Sequence, residues 1–288
     1  MKSLLEYLQE ADEKKVAVGH FNISDLAALK AIFASAKKLN FPVIIGLSEG
    51  ERDFVGVSQA AALVSSIRHE HNFPIFLNAD HTHSLEKVRE AAMADFDQII
   101  FDGSSLPLEE NIRQTRQAVE IAKSINPNII MEGEIGFIGN SSEVMDYAPS
   151  GIELTHPEDA KRFIEQTGVK VLAPAVGNMH GLLKTMLSGD VQKRLNLPLI
   201  KELKEAIGGS IFMTLHGGSG TNDDDFKEAI KSGMTIVHVN TELRVAWRKG
   251  VERGLSENPN EVAPYKILPF AVSNIEKVVE KRLNLFNS

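Results

Sequence analysis

The sequence has no cysteine among its 288 residues. The chain can therefore form neither a disulfide nor a thiolate metal site. Imidazole and carboxylate groups remain as the plausible protein ligands for a metal ion. Any zinc bound by this chain must be held by histidine, aspartate or glutamate.

Long apolar runs and excess positive charge are also missing. No stretch approaches the roughly 20 apolar residues that a membrane helix needs, and the amino-terminal segment MKSLLEYLQEADEKK lacks the apolar run of a secretory signal. The formal net charge of −8 gives no overall attraction to nucleic acid or to anionic membranes. We therefore expect a cytoplasmic protein with neither partner, which would bind an anionic substrate through local amides and cations.

The length and composition are those of a globular domain. A chain of 288 residues with 43% hydrophobic residues can bury one large core, or at most two small ones. No low-complexity segment or linker divides it. We expect a single domain that covers residues 1–288.

Short β-branched runs alternate along the chain with amphipathic segments. The runs have the near-continuous apolar character of strands that are buried on both faces of a parallel sheet. They predict strands at residues 16–22, 43–48, 74–80, 98–103, 129–135, 169–176, 210–216 and 234–240. The amphipathic segments predict helices at 24–39, 55–71, 84–94, 108–124, 157–166, 198–207, 222–231 and 241–254. Ser24, Ser84 and Asn222 are the expected N-caps.

Three histidines lie at the carboxyl ends of three of these predicted strands. They are His81, His180 and His216, and Asp80 directly precedes the first of them. Three imidazoles on one rim, with a carboxylate beside them, are typical of a metal site. A single histidine in such a position is more often a hydrogen-bonded core residue. We therefore assign His20, His83 and His156 to the core or to the surface.

The location of these residues distinguishes two α/β architectures. Eight strands that alternate with helices are compatible with a closed (β/α)8 TIM barrel or with an open, doubly wound sheet. All the candidate site residues follow strands at their carboxyl ends, where barrel enzymes build their active sites. The sequence therefore favours the TIM barrel.

Two connections are longer than usual, at residues 136–156 and 177–197. Long loops on the catalytic rim of a barrel are often lids. Solvated insertions are the alternative, but their proximity to His180 favours a gating role.

Seven motifs in chain order resemble the class II, metal-dependent fructose-bisphosphate or tagatose-bisphosphate aldolases. The similarity extends over nearly the whole chain, in register with the predicted strands. The motifs are VAVGHFN at 16–22, ADH at 79–81, FDGSSLPLEEN at 101–111, MEGEIGFIG at 131–139, TGVKVLAPAVGNMHG at 167–181, LHGGSG at 215–220 and NTEL at 240–243.

The resemblance implies one catalytic metal ion per subunit, usually zinc, bound by His81, His180 and His216. Asp80 matches the carboxylate that transfers a proton to and from the hydroxyl at the cleaved carbon–carbon bond. Acidic residues around the metal, or at an alternative metal position, are Asp102, Glu132 and Glu134.

The resemblance also implies how a substrate is bound. A cradle of backbone amides for the phosphate of the ketone substrate matches Gly181, Gly218 and Ser219, and in similar enzymes a monovalent cation such as Na⁺ or K⁺ often accompanies it. The further positions expected to face the substrate are Asn22, Ser48, His238, Asn240 and Thr241.

The implied reaction is the reversible cleavage of a phosphorylated ketose by a homodimeric or homotetrameric enzyme. Fructose 1,6-bisphosphate is the first candidate, with dihydroxyacetone phosphate and an aldehyde such as glyceraldehyde 3-phosphate as products. No predicted strand carries a lysine at its carboxyl end, which argues against a Schiff base. The alternatives are a lyase with another aldehyde, which need not be phosphorylated, and a non-catalytic metal-binding barrel. Asp80 beside His81 disfavours the barrel without activity.

Four departures from the family pattern concern the substrate. His238 replaces an asparagine, Ser105 replaces a frequent histidine, and residues 263–265 read A-P-Y where the family commonly has D-P-R. Residues 139–143 read G-N-S-S-E in place of G-G-x-E-D. Loss of the arginine removes a strong phosphate donor, although Arg52 or Lys266 could replace it. We therefore predict only weak preference for a second phosphate.

Overall fold

The computed structural model describes residues 1–139, 142–189 and 191–288. Within these ranges it contains ten strands and twelve α-helices. The strands are β1 (Val18–Asn22), β2 (Val43–Leu47), β3 (Ile75–Thr82), β4 (Gln98–Phe101), β5 (Ile130–Ile135), β6 (Val144–Met145), β7 (Val171–Pro174), β8 (Leu182–Leu183), β9 (Phe212–Leu215) and β10 (Met234–Val239).

The helices alternate with the strands. They are α1 (Leu4–Lys14), α2 (Leu26–Leu39), α3 (Glu49–Val55), α4 (Val57–His71), α5 (Leu85–Met93), α6 (Leu108–Ile125), α7 (Pro157–Thr167), α8 (Leu197–Ile207), α9 (Asp223–Lys231), α10 (Thr241–Glu257), α11 (Pro264–Ile267) and α12 (Pro269–Phe286). None of them, among the described residues, is long and apolar enough to cross a membrane.

Eight of the strands close into a barrel in the order β1-β10-β9-β7-β5-β4-β3-β2. All neighbours in it are parallel. The predicted (β/α)8 TIM barrel is confirmed, and the open sheet is excluded because β1 pairs with β10. No strand end differs from its prediction by more than two residues.

Helix α1 closes the amino-terminal end of the barrel, and the sequence patterns did not predict it. Ser3 and Glu6 form a capping box at its start. Leu4, Leu8 and Ala11 are buried on its inner face. They pack against an apolar layer to which seven strands of the barrel contribute one residue each. These residues are Val18, Ile44, Phe76, Ile130, Val171, Phe212 and Ile236. A ligand can therefore enter only from the opposite end.

Side chains two residues further along the strands point the same way, because side chains alternate along a strand. At this level the barrel becomes polar. The buried residues of this layer include His20, Asn78, Gln98, Glu132, Thr214 and His238. The barrel axis thus changes from apolar at the closed end to polar and ionisable at the carboxyl ends of the strands.

Helix α12 completes the outer ring and was also absent from the sequence prediction. It packs against α10 and α2. Its buried Arg282 donates to the carboxylates of Glu242 and Asp223. This network connects the carboxyl-terminal helix to the first turns of α10 and α9.

One predicted N-cap is wrong. Asp25, and not Ser24, caps α2 by accepting a hydrogen bond from the backbone N–H of Ala28. Ser84 and Asn222 cap α5 and α9 as predicted. Asp25 also accepts from the indole N–H of Trp247 on α10, a partner that no local pattern reveals.

The two long connections contact each other above the barrel. Val144 in β6 pairs with Leu182 in β8, so that one loop adds a short parallel strand to the other. The backbone N–H of His180 also donates to the carbonyl of Ile138. Parts of the predicted lids, namely Asn140, Ser141 and Asp190, lie outside the described residues. Gating by these loops stays a prediction.

We expect α12 to be essential for stability. Leu283 on α12 is fully buried, whereas Leu255 on α10 is 49% exposed. Leu283→Ala should lower the free energy of unfolding by about 2–5 kcal/mol, as is usual for a large-to-small change in a core. Leu255→Ala, the matched control, should have a much smaller effect. Urea unfolding measures both values, and equal losses would show that α12 does not act as a core element.

Candidate metal centre

The barrel brings His81, His180 and His216 together at its open end. His81 lies near the end of β3, His180 in the loop after β7, and His216 directly after β9. The ring centre of His81 lies 4.7 Å from that of His180 and 4.8 Å from that of His216. The ring centres of His180 and His216 are 6.0 Å apart. Rings at these distances can direct one nitrogen each at a common ion.

Glu134, at the end of β5, joins the three histidines. One potential ligand atom from each of the four residues lies within 4.8 Å of the others. The sequence placed Glu134 among acidic residues near the metal, without distinguishing it from Asp102 and Glu132. The geometry makes Glu134 a candidate fourth ligand.

Asp102 and Glu132 instead orient the imidazoles. The Nδ1 of His81 lies 2.8 Å from a carboxylate oxygen of Asp102, and the Nε2 of His216 lies 2.8 Å from one of Glu132. A carboxylate that accepts a hydrogen bond from a ligand histidine fixes the ring and its tautomer. For His216 this leaves Nδ1 directed at Glu134, 3.2 Å away.

Buried polar atoms without partners support a cation at this point. Among the described residues, Nδ1 of His216, Oε2 of Glu134 and Oδ1 of Asp80 are buried and have no hydrogen-bond partner. Leaving such atoms unsatisfied is costly. A divalent cation that accepts nitrogen and oxygen ligands would satisfy the first two directly. The residues present therefore fit a metal ion.

The pKa shifts in the site also support a bound cation. Burial alone would lower the pKa of His81, but the carboxylates of Asp80 and Asp102 outweigh it and raise this pKa to about 9. Burial, together with the nearby carboxylate of Asp102, raises the pKa of Glu134. The site thus has an excess of carboxylates. Their negative charge keeps imidazoles protonated unless another cation balances it.

Asp80 lies beside this centre and is held from both sides. One of its oxygens accepts a hydrogen bond of 2.8 Å from the side-chain amide of Asn22. The other lies 3.5 Å from Nδ1 of His238 and 3.7 Å from Nε2 of His81. Burial raises the pKa of Asp80, but His81 and His238 outweigh this effect and hold it well below its usual value. Asp80 is therefore ionised at neutral pH.

His238 enters the site, and Asn240 lies beside it. The ring of His238 stacks between those of His20 and His216, with centroid distances of 3.5 Å and 4.2 Å. Asn240 and His238 both line the cavity next to Asp80. The buried His20 thus supports the site from below, while His83 and His156 are exposed.

The backbone at His81 adopts a left-handed conformation, with φ at +43°. A non-glycine residue rarely adopts it, and such strain is common at functional sites. The buried guanidinium of Arg52 supports this turn. It donates to the carbonyls of Leu47 and Asp80, at 2.6 Å and 3.0 Å, and to the hydroxyl of Thr82. Arg52 is therefore not the spare phosphate donor that the sequence suggested.

Gly181 and Ser219, two of the three residues expected to bind the phosphate, line a small cavity next to the metal centre, whereas Gly218 does not line it. It is lined by Asn22, Asp80, His81, Ser142, His180, Gly181, Gly217, Ser219, His238, Asn240 and Thr241. A Cβ atom on Gly218 would lie 2.6 Å from the carbonyl oxygen of His238, so only glycine fits there. Thr241 connects this cavity to the loop after β5, because its hydroxyl donates to the carbonyl of Ser142.

A second cavity, of about 430 Å³, is also lined by Asp80, His81 and His180. Ser48, Glu143 and Arg244 are among its lining residues. Arg244, which directly follows the NTEL motif, was missed in the sequence analysis. Its guanidinium lies 2.6 Å from the carboxylate of Glu51, which also accepts hydrogen bonds from Ser48.

Tyr265, which stands where the family commonly has arginine, is not among the residues that line this cavity. Its side chain is 76% exposed on α11. Helix α11 packs against the end of α10, where Ile267 lies close to Gly254. Lys266 beside it pairs with Glu261. Among the described residues, Arg244 is therefore the arginine that lines the cavity.

Comparison with known proteins finds similarity over nearly the whole chain. The sequence model of the family described as "Fructose-bisphosphate aldolase class-II" matches residues 2–288. The fructose-bisphosphate aldolase of Geobacillus stearothermophilus is 32% identical, with 99% of this chain and 96% of the relative covered. A probable fructose-bisphosphate aldolase of Bacillus subtilis is also 32% identical, with 99% and 97% covered.

Solved structures are similar as well. The YdjI aldolase from Escherichia coli K12 superposes with a TM-score of 0.82 at 26% identity, and 99% of this chain and 97% of that chain are covered. A putative fructose-1,6-bisphosphate aldolase from Coccidioides immitis gives a TM-score of 0.85 at 25% identity, with 99% and 96% covered.

The metal centre predicts the effect of removing its ligands. His81→Ala, His180→Ala and His216→Ala should each lower zinc affinity by more than the roughly 10–100-fold that loss of an orienting partner costs. Glu134→Gln tests the fourth ligand. Zinc retained after dialysis, measured by mass spectrometry, is the readout, and the exposed His83→Ala is the control. Undiminished zinc in all three alanine variants would exclude this centre.

Metal removal should also destabilise the protein. An ion that binds only the folded state stabilises it, by about 2.7 kcal/mol at a free concentration one hundred times the dissociation constant. The chelated protein should therefore melt at a lower temperature, and added zinc should restore the original value. Calorimetry of the native protein and of His216→Ala provides the comparison. An equal response to chelation in both would show that the stabilising ion binds elsewhere.

Proposed function

Because the chain belongs to the class-II fructose-bisphosphate aldolase family and is thus a lyase of the aldol type, we propose that it reversibly cleaves a phosphorylated ketose. The products are dihydroxyacetone phosphate and an aldehyde. Fructose 1,6-bisphosphate, with glyceraldehyde 3-phosphate as the aldehyde, is the first candidate substrate. The protein would act in carbohydrate metabolism.

The observation that carries this proposal is the ionised carboxylate of Asp80 beside the three-histidine centre. Two cavities include Asp80, His81 and His180 in their lining. We assign the phosphate of the ketone half to the smaller cavity and the aldehyde half to the larger one, with the cleaved bond beside Asp80. A barrel that only stores a metal would not need this arrangement.

Zinc is the proposed ion, with one per subunit. Histidine and carboxylate donors in a nearly closed site are typical of zinc in proteins. His81, His180 and His216 would hold it, and Glu134 is available as a further ligand or as an alternative one. A bound divalent cation supplies positive charge that polarises a carbonyl group and stabilises the negative charge that develops during cleavage.

Asp80 is the proposed general base in the cleavage direction. Its low pKa keeps it ionised, so that it can accept the proton of the hydroxyl group on the carbon that becomes the aldehyde. In the synthetic direction the protonated Asp80 returns this proton. The side-chain amide of Asn22 donates to one carboxylate oxygen, and Nδ1 of His238 lies 3.5 Å from the other.

A second proton must be added to the carbon atom of the ketone product. Glu143 is the proposed donor, because it lines the cavity that contains Asp80 and His81. Its backbone carbonyl accepts a hydrogen bond from the N–H of Leu182, which keeps this part of the loop near the metal centre. The neighbouring Asn140 and Ser141 lie outside the described residues.

The phosphate of the ketone half would bind at Gly181, Gly218 and Ser219. Asn240 and Thr241 form the start of α10, a helix of 17 residues that begins at the same cavity. The N–H of Glu242 already donates to the hydroxyl of Ser219, and the helix dipole favours an anion at such a point. The ketone phosphate is therefore held between loop amides and a helix start.

The charge of the aldehyde half depends on Arg244, which already pairs with Glu51. A second phosphate near Ser48 would have to compete with this carboxylate for the guanidinium. A ketose 1-phosphate with an uncharged aldehyde half is therefore the alternative substrate class. Cleavage of both classes, detected as dihydroxyacetone phosphate with zinc supplied, decides between them.

The remaining proposals concern the state of the protein in the cell. We propose a single domain over residues 1–288, a homodimer or homotetramer, and a cytoplasmic location. The net charge of −8 supports a small-molecule substrate over nucleic acid. Sedimentation of the purified protein would determine the number of subunits.

Replacing Asp80 tests the proton transfer. Asp80→Ala should keep the metal and lower turnover by roughly 10²- to 10⁴-fold, the usual scale for a positioned acid or base. Exchange of solvent protons into dihydroxyacetone phosphate should persist, because Asp80 acts on the aldehyde side. The exposed Asp53→Asn is the control. If Asp80→Ala loses zinc instead, Asp80 is a ligand.

Replacing Arg244 tests the specificity. The native enzyme should prefer fructose 1,6-bisphosphate over fructose 1-phosphate by at most roughly a hundredfold, the scale of one charge-assisted contact. Arg244→Met should lower this preference about tenfold, whereas Tyr265→Met should leave it unchanged. The ratio of kcat/KM values is the measurement. A preference above a thousandfold that survives Arg244→Met would show that another cation binds the second phosphate.

A further inference from the structure

A buried lysine joins the two loops that carry His180 and His216. Lys193 lies between β8 and α8 and is only 4% exposed. Its Nζ donates to the backbone carbonyls of Met179, Gly181 and Gly217, at 2.7 Å, 2.6 Å and 2.9 Å. Two of these carbonyls flank His180, and the third follows His216. Lys193 belongs to none of the sequence motifs.

The backbone of Lys193 is fixed as firmly as its side chain. Its N–H donates to the carbonyl of Gly220, and its own carbonyl accepts from the N–H of Asn222. Both partners lie in the loop that follows β9. The ammonium group is therefore directed at the carbonyls by the local chain path and is not the end of a freely moving side chain.

The two loops approach each other so closely that their carbonyl groups converge. Gly217 has φ at +60°, and a Cβ atom there would lie 2.3 Å from the carbonyl oxygen of Met179. Converging carbonyl dipoles repel one another, and a cation at their focus removes the repulsion. The three carbonyls require either a bound monovalent ion or a fixed positive group.

An ammonium ion matches this requirement fully. It has three N–H donors, and the three carbonyls accept one each. Burial lowers the pKa of Lys193 to about 7, while the carboxylate of Glu242 opposes this shift. A neutral amine would have only two N–H groups and would leave one carbonyl without a donor. The three acceptors therefore favour the charged form.

We infer that the ammonium group of Lys193 is a built-in cation, which takes the position that a bound Na⁺ or K⁺ would otherwise occupy between these loops. A separate monovalent ion does not fit, because its carbonyl ligands already bind Nζ at contact distance. This differs from the monovalent cation that resemblance to the aldolases implied. The enzyme should then need no added Na⁺ or K⁺.

The consequence for the site is a positive charge next to the ketone phosphate whenever Lys193 is protonated. The carbonyl of Gly181 binds Lys193, while Gly181 itself lines the small cavity beside Ser219. This part of the inference rests on the proposed function, because it assumes a phosphate in that cavity. The structural part, an ammonium that holds together the loops of His180 and His216, does not depend on the substrate.

Exchange of monovalent ions in the native protein is the first test. The melting temperature of the zinc-loaded enzyme, and its KM for the phosphorylated ketose it cleaves, should be the same in potassium, sodium and choline chloride at equal ionic strength. A native enzyme that melts earlier or loses substrate affinity in choline would overturn the inference.

Two substitutions of Lys193 form the second test. Lys193→Ala leaves room for an ion, whereas Lys193→Met fills the space with an uncharged chain. Both should raise KM by roughly ten- to a hundredfold, the scale of lost charge-assisted hydrogen bonds. Added potassium or ammonium should restore the melting temperature and KM of Lys193→Ala only. Lys201→Ala, on the exposed face of α8, is the control. Absence of rescue in Lys193→Ala would contradict the assignment.

Crystals grown in rubidium chloride give a readout that is independent of activity. The anomalous signal of rubidium should be absent between the carbonyls of Met179, Gly181 and Gly217 in the native protein and present there in Lys193→Ala. Rubidium at this point in the native protein would refute the inference even if the variants fail to fold. Because this result and the melting temperatures need no substrate, they remain valid if the proposed reaction is wrong.

Discussion

Burial of ionisable side chains at one end of the barrel is the constraint on which the rest of the structure depends. Helix α1 and an apolar layer close the other end, so polar groups and solvent access are confined to the carboxyl ends of the strands. There, the buried carboxylates must be paired or must face a cation. Asp102 and Glu132 are paired with imidazoles, and Glu134 and His216 keep unpartnered atoms that face each other. The metal centre is the remaining way to balance this charge.

Two buried cations stabilise the backbone around the three histidines. Arg52 donates to the carbonyl of Asp80, next to the strained His81. Lys193 donates to carbonyls beside His180 and His216. Each ligand segment is therefore held by a positive side chain that contacts the backbone and not the ligand itself. Preorganised ligands of this kind retain their geometry when substrate binds and leaves.

Much of the barrel could be predicted because strands and helices leave local periodic patterns. All eight strands form where β-branched runs predicted them, and the strand-end residues His81 and His216 lie on the rim as expected. The failures have local causes too. The helices α1 and α12 lie outside the predicted alternation of eight strands with eight helices. Ser24 and Asp25 are adjacent residues that both suit an N-cap. Tyr265 was compared with a family position by sequence alone, although its helix packs against α10 and α12 and Tyr265 does not line the cavity.

The sequence by itself determined the barrel, the strand-end histidines and the position of Asp80 beside one of them, because these features depend on residues that are close together in the chain. Only the tertiary structure decided that Glu134 joins the histidines, that His238 stacks between His20 and His216, and that Arg244 lines the second cavity. It alone revealed the contacts of Lys193 with both ligand loops. These contacts join residues that are far apart in sequence, and their geometry depends on how the strands and loops pack in the closed barrel, which no local pattern encodes.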